Sequence, residues 1–269
     1  MSARIRYAEL NTTEEFELAT DVEIGVWGLS PRDAVPPNLF RAATHNGGVL
    51  IGAYLDEVLV GIAFALAAHR DEHPILWSHM AGVLPQYQGQ GIGEGLKYAQ
   101  RSWAISRGIH EIRWTFDPLQ RGNANFNLAR LGAIADTYFI NHYGTMTDSI
   151  NAGMPSDRIE ACWRLLESPF SASEGFIASL PYALTHDDES RPVIRSIGEQ
   201  EFTLAEIPAD LRTLRIENPT LLLEWRMALR QVLSEAFALG YIAATFVRIS
   251  QTRCEAYLLK RLLTPDSSL

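Results

Sequence analysis

The sequence predicts a mixed α+β protein in which strands and helices alternate. Three observations carry that prediction. Apolar or alternating runs of strand length take turns with stretches whose apolar residues recur at helical spacing. One junction between the two kinds, "VLPQYQGQGIGEGLKYAQ" (83–100), is crowded with glycine. After a Ser-, Pro- and acid-rich interval the same alternation resumes.

Taken in order, "RIRYAEL" (4–10) alternates and reads as a strand. Thr12 followed by Glu15 fits a capping box opening a helix that runs to about Trp27. "WGLSPRDAVPP" is a loop by its Pro and Gly content, and 38–45 a short helix. "GGVLIGAYLDEVLVGIAFALAAH" reads as two strands around a tight turn at Asp56 and Glu57. "ILWSHMAGVLP" (75–85) is a third long strand. The spacing then predicts a helix over 94–107, ended by Gly108. "HEIRWTF" is a strand, "GNANFNLARLG" a short helix ending at Gly132, and "AIADTYFI" and "RIEACWRLL" further strands. The pattern weakens from Ser168 to Gly198, which reads as a linker or irregular cover. Beyond it come a strand in "EFTLAEIP", a helix in "PTLLLEWRMALRQVLSEAFALG" with Pro at its start and Gly at its end, and strands in "YIAATFVRI" and "CEAYLLKR". The order strand, helix, Gly, strand echoes 83–116. That leaves two readings: a degenerate internal repeat, or a generic α+β unit.

Composition narrows the function. A net charge of −9 disfavours a nucleic-acid partner, which requires concentrated Lys and Arg. The cysteines, Cys162 and Cys254, are too far apart for a zinc ribbon, suggest no disulfide framework, and read as buried and inert. "MSARIRYAEL" lacks the apolar core of a signal peptide, and the longest apolar run (58–68) is too short to span a bilayer. A cytoplasmic location with no membrane partner is the expectation.

A strand that ends in a glycine-rich turn opening a helix leaves several backbone N–H groups pointing one way, at the positive end of the helix dipole. This is an anion site, most often for phosphate. The Walker motif requires Gly-Lys-Ser/Thr, which is absent. The dinucleotide fingerprint fails because the required third glycine is Glu94 in one frame and Leu96 in the other. The pattern [Gln/Arg]-x-x-Gly-x-[Gly/Ala] fits "QGQGIG" (88–93), and "QYQGQG" as well. The plain alternative is a tight strand-to-helix connection with no ligand.

With these residues the chain resembles the GNAT superfamily of acyl-CoA-dependent N-acyltransferases; "GVLPQYQGQGIGEGLKYAQ" is similar to that family's pyrophosphate-binding segment. The resemblance covers about 4–166. "WTFDPL", "NANFNLARLGA", "NHYG" and "NAGMPSDR" resemble a subgroup of larger acetyltransferases with an extra C-terminal region. It implies a mostly antiparallel central sheet flanked by helices in an acyl-CoA-binding domain over 1–167. The linker (168–198) and a C-terminal α+β region (199–269), in its sharper form a degenerate GNAT-like half, follow. It also implies that N–H groups of Gln88, Gly89, Gln90, Gly91, Ile92 and Gly93 bind the CoA pyrophosphate. Val83 and Leu84 pair with the pantetheine arm, and Asn123 or Asn125 holds that arm from the other side.

Acyl transfer to an amine requires loss of the ammonium proton, a donor for the tetrahedral oxyanion, and a proton for the departing thiolate. A backbone N–H near Val83 suits the oxyanion. The strand "ILWSHMAGV" has no carboxylate, so His79, its only titratable group, is the candidate base. By a two-residue period it shares a face with Ala81 and Val83; the other reading is a core or rim histidine. The family's usual acid, a tyrosine four residues before the glycine that ends the later helix, falls on Leu128. Tyr143 is the preferred substitute, with Tyr138 second and water the remaining route. Trp27, Arg32 and Arg41 follow or end the first helix, in the part that lines the acceptor pocket in the resembling fold; an arginine there either holds an acceptor carboxylate or is simply solvated. Asp117 either contacts the acceptor or caps a turn. "HRDEH" (69–73) matches H-x-x-E-H, but it follows a strand and is cut off by Pro74, so no metal is expected.

The expected activity is transfer of acetyl, or another short acyl such as succinyl, from CoA to the amine of a small molecule or amino acid. A non-catalytic acyl-CoA sensor, or an interaction role centred on the C-terminal region, are the alternatives. The broad apolar stripe of the last helix predicts that Trp225 is buried, within the chain or across a homodimer.

Overall fold

Strand β1 (Ile5–Glu9) passes into helix α1 (Thr13–Trp27) through the expected capping box: Thr12 Oγ1 accepts from Glu15 N, and the Glu15 carboxylate accepts from Thr12 N. The computed structural model describes residues 5–144, 154–249 and 254–262. Arg4 of the first predicted strand, residues 151–153 of "NAGMPSDR" and the side chain of Cys254 lie outside the described residues. Two compact units are present, 1–114 with 164–166, and 115–163 with 167–269. The expected boundary after 167 is therefore not where the units divide.

In the first unit α2 (Pro37–His45) is followed by strands β2 (Val49–Leu55), β3 (Val58–Arg70) and β4 (His73–Val83). Helix α3 (Ile92–Ile105) and strand β5 (Glu111–Phe116) come next. The strands lie in the order β1-β2-β3-β4-β5. The first four pair antiparallel, and β4 pairs parallel with β5 at Leu76↔Ile112 and Trp77↔Arg113. One face of the sheet buries Phe16, Ala19 and Val22 of α1 and Phe40 of α2 against Leu50, Ile62 and Phe64; Phe40 and Phe64 meet edge to face at 4.9 Å. Residues 164–166 join this unit through Leu165, whose N–H donates to His110 O and whose carbonyl accepts from Arg101.

In the second unit a short helix α4 (Arg121–Ala124) runs into a π-helical turn (Asn125–Arg130). Strands β6 (Ile134–Phe139) and β7 (Arg158–Arg164) follow. The interval 168–198 does cover the sheet: Phe170, Ile177 and Leu180 pack on Leu204, Ile242 and Leu258. It is not a linker, however. It contains α5 (Glu174–Ala178), β8 (Tyr182–His186) and β9 (Pro192–Ile194), elements too short to show a period in sequence. Strand β10 (Phe202–Ile207) follows, then α6 (Leu211–Glu217), which the sequence pattern did not indicate, and α7 (Pro219–Ala238), β11 (Tyr241–Ile249) and β12 (Cys254–Arg261). Trp225 of α7 is buried, and its Nε1 donates to Ser190 O at 3.1 Å. Cys162 is buried.

The order within this unit is β7-β6-β11-β12-β10-β8-β9. The suggested echo of 83–116 is not what it contains, because β12 lies between β10 and β11, whereas β4 and β5 pair directly. A closer repeat is present instead. "LGAIADT" (131–137) and "LGYIAAT" (239–245) share L-G-x-I-A-x-T. In both, a helical segment ends at a glycine with φ near +80° and a strand begins (Gly132 76°, Gly240 81°). Both ladders to the return strand shift register over the same interval, Ala135/Thr137 with β7 and Ala243/Thr245 with β12. The two strands pair antiparallel at Ala243↔Ala135, so equivalent residues meet across a local two-fold.

Ending the chain after residue 167 removes β11 from β6 and all of α7. We expect such a truncation to be insoluble or aggregated by size-exclusion chromatography, because it bares an apolar strand edge; a soluble monomer would show that 115–163 folds without the C-terminal region.

Candidate active site

The glycine junction resolves into glycines with different tasks. A 3-10 turn (Pro85–Tyr87) ends β4, and Gln88 Nε2 donates to Val83 O at 2.9 Å, tying the loop to the strand end. Gly89 and Gly91 take φ of +76° and +78°, a region that only glycine occupies without strain, and a Cβ at either would stand in open space. Alternating backbone signs of this kind turn successive N–H groups to one side, which is the geometry suited to an anion. Gly91 is the N-cap of α3, and no side chain caps that end. Ile92, buried, anchors the first turn. Gly93 has ordinary space beside Val83. Gly95 answers to packing, since a Cβ there would collide with the Tyr7 hydroxyl of β1.

Among the described residues, the ladder pairs of β4 to β5 stop at Trp77↔Arg113, while β4 continues to Val83. The β5-facing edge of β4 over its last residues is thus outside that ladder, as required of a strand that offers its backbone at Val83 and Leu84 to an extended ligand.

His79 departs from the expected face. On β3, Phe64 pairs with Met80 and Ala65 with Ser78, so His79 is the extra residue of a β-bulge. The bulge breaks the two-residue period. Val83 and Ser78 face α3, whereas the His79 ring meets Phe64 edge-on at 6.2 Å, on the face covered by α1 and α2. His79 is exposed by surface area, yet partial burial lowers its pKa from 6.5. On that face Trp27 packs against β4: a Cβ on Gly82 would be 2.8 Å from Trp27 Cη2. Val83, Leu84, Gln88 to Gly93, His79 and Trp27 therefore gather around the end of β4. Arg32 is exposed on the loop after α1. Arg41 is committed elsewhere, donating to Asn11 O at 2.7 Å and stacking on Phe16.

Two buried ionisable groups in this unit were not read from the sequence. Glu23 of α1 accepts from Val35 N at 2.9 Å, and burial raises its pKa. Its signal was an acid within the apolar stripe Phe16, Ala19, Val22 of α1. Lys97 of α3 donates to Ser78 Oγ at 3.0 Å, sits 3.7 Å over the Trp114 ring, and is driven by burial to a pKa of about 7. Ser78 in turn donates to Gln100 Oε1. The unfolded chain holds the Lys97 proton up to about 10.5, so stability should rise with pH between about 7 and 10.5, by at most ~1.4 kcal/mol per pH unit. The Ser78 and Trp114 contacts offset part of this. Urea midpoints across that window should climb for the parent and stay flat for Lys97→Met; parallel curves would show Lys97 to be charged in the fold.

The remaining predicted residues belong to the second unit. Asn123 and Asn125 are exposed, in α4 and at the start of the π turn, and Leu128 is buried in that turn. Asp117 does not contact an acceptor: it is buried, its two oxygens are bound by Arg226 at 2.6 and 2.9 Å, and Oδ1 also caps Leu119 N. It is a turn residue with a buried counter-charge. Tyr138 donates to Asp157 at 2.7 Å, and burial together with that carboxylate raises its pKa far beyond reach as an acid. Tyr143 is half exposed, and its hydroxyl lies 3.1 Å from Thr115 Oγ1. "HRDEH" is a hairpin end with Asp71 and Glu72 as a two-residue turn at positive φ.

Residues 12–132 match the acetyltransferase (GNAT) family. This chain carries a GNAT acetyltransferase domain. Its mixed sheet with flanking helices is that of the GNAT fold, with a C-terminal region beyond the matched segment. Similar solved structures include the ribosomal-protein-S18-alanine N-acetyltransferase of Escherichia coli (16% identity, 63% of this chain and 99% of that one, TM-score 0.48). Arabidopsis thaliana Naa50 with a bisubstrate analogue of CoA is another (15%, 59% and 97%, 0.47). An aminoglycoside acetyltransferase from an uncultured soil sample is a third (17%, 46% and 86%, 0.42). No curated protein matches the chain. No helix among the described residues is long and apolar enough to cross a membrane.

Proposed function

We propose that the GNAT domain transfers acetyl, or another short acyl group, directly from CoA to the amine of a small molecule or amino acid. The observation that supports this most is the uncapped N-terminus of α3 behind the Gly89–Gly91 concavity, at the end of a strand whose β5-facing edge has left its ladder. In this reading the N–H groups of Gln88 to Gly93 hold the pyrophosphate, and Val83 and Leu84 pair with the pantetheine, with Asn123 or Asn125 steadying the arm. An N–H near Val83 receives the oxyanion. His79 takes the ammonium proton, Tyr143 returns one to the thiolate, and Trp27 and Arg32 meet the acceptor. The substrate amine attacks the thioester carbonyl, the tetrahedral adduct expels CoA thiolate, and the amide forms.

The test is acyl-CoA binding by calorimetry, followed by thiol release with pooled amines and several acyl-CoAs. Gly91→Val should weaken acetyl-CoA binding by at least about tenfold, by analogy with a lost charge-assisted contact. Gly108→Val is the matched control: Gly108 has φ +72° and open space, so it carries the same backbone strain away from the loop. Equal affinity in the two variants would remove the loop from the CoA site.

A further inference from the structure

The C-terminal helix α7 reaches a proton-donor candidate through an unbroken chain of polar contacts. Arg230 grips Asp157 with both arms of its guanidinium, Nε to Oδ2 and Nη2 to Oδ1, each at 2.9 Å. The Asp157 side chain is fully buried. Its Oδ2 also accepts from Tyr138, and its Oδ1 accepts from Asn141 N at 3.0 Å. Asn141 Oδ1 accepts from Ser156 N at 3.2 Å. Ser156 Oγ accepts from Tyr143 N at 3.0 Å and donates to Gly144 O at 2.8 Å. The backbone on both sides of Tyr143 is thereby fixed, while its ring is left half exposed beneath the Arg158 guanidinium and against His142. Burial alone would raise the Asp157 pKa; the bonds from Arg230, Tyr138 and Asn141 outweigh it and keep the carboxylate ionised.

We propose that Arg230 is a positioning residue for Tyr143: it supplies the charge that keeps Asp157 buried, and Asp157 with Ser156 holds the Tyr143 backbone. The proposal rests on the reading of Tyr143 as the thiolate's proton donor. It gives the C-terminal region, which lies outside the matched family segment, a part in turnover. Without Arg230 the Asp157 carboxylate has lost its counter-charge in a buried place. It must move toward water or take a proton, and either change releases Asn141 and the loop that carries Tyr143. A displacement of about an ångström in a reacting group costs on the order of 10²-fold in rate.

The experiment is a double-mutant cycle on kcat in the full chain, with Arg230→Met, Tyr143→Phe and the pair, alongside acyl-CoA affinity. Arg230→Met should lower kcat by about 10²-fold while leaving acyl-CoA affinity within a factor of two or so. Arg230→Lys, which keeps the charge but not the two-armed grip, should recover part of the loss. In the Tyr143→Phe background Arg230→Met should cost nothing further, because the group it positions is gone. A merely structural role would instead multiply the two losses. If Arg230→Met does not fold, Ser156→Ala replaces it in the same cycle. A normal kcat for Tyr143→Phe overturns the donor reading and this inference with it. An impaired Tyr143→Phe combined with a near-normal Arg230→Met, or with fully multiplicative losses, overturns the inference alone.

Discussion

His79→Gln should lose about 10²- to 10⁴-fold in turnover while binding acyl-CoA as well as the parent, since general base catalysis is worth that much. Gln keeps a polar group of similar length but cannot take the proton from the attacking amine. In the proposed mechanism the neutral form is the active one, and the pH dependence follows from that. The rate at low acceptor concentration should fall as pH drops through the pKa of His79 in the free enzyme, and burial places that value below 6.5. The acid limb should therefore lie lower than for an ordinary imidazole, and it should vanish in the variant. A variant within about threefold of the parent, with the same profile, would make His79 a structural residue of the bulge and leave proton removal to water.

The second large effect concerns stability. Arg226→Met leaves Asp117 buried and charged with, among the described residues, only Leu119 N to satisfy it, and breaking a buried pair from one side costs about 3–5 kcal/mol. The neighbouring turn is held in the same place by Tyr257, whose hydroxyl donates to Pro118 O at 2.6 Å, so the local chain cannot easily carry Asp117 out to water. Adding Asp117→Asn should recover most of the loss, because the amide oxygen can still cap Leu119 while the stranded charge is gone. The comparison is made by urea unfolding of the two variants and the parent. A loss under about 1 kcal/mol in the single variant would mean that Asp117 is solvated or protonated there.

What the sequence made legible follows physical range. The Thr12–Glu15 capping box and the Gly89–Gly91 turn involve neighbours, so local chemistry announced them. The bulge at His79 was hidden because "SHMAGV" has no strong apolar alternation for a slip to interrupt, and one extra residue moved the histidine to the other face. The role of Asp117 depends on Arg226, 109 positions away, and no local pattern reports such a pair. The short elements between 168 and 198 take their definition from β10 and from the sheet face they cover rather than from their own periodicity. Lys97 and Gln100 were visible as polar residues one turn apart on the buried side of α3, a signal that outward-facing readings of charge discard.

The meeting of Ala135 with Ala243 has a thermodynamic side. Two copies of a protomer that pair edge strands across a two-fold do so at the mercy of dilution, with an association constant that falls short at low abundance. Here both halves of the symmetric pair are carried by one polypeptide, at an effective concentration set by the chain between them. The edge of β6 therefore stays covered however scarce the protein is, and the melting temperature should be the same at nanomolar and micromolar concentration.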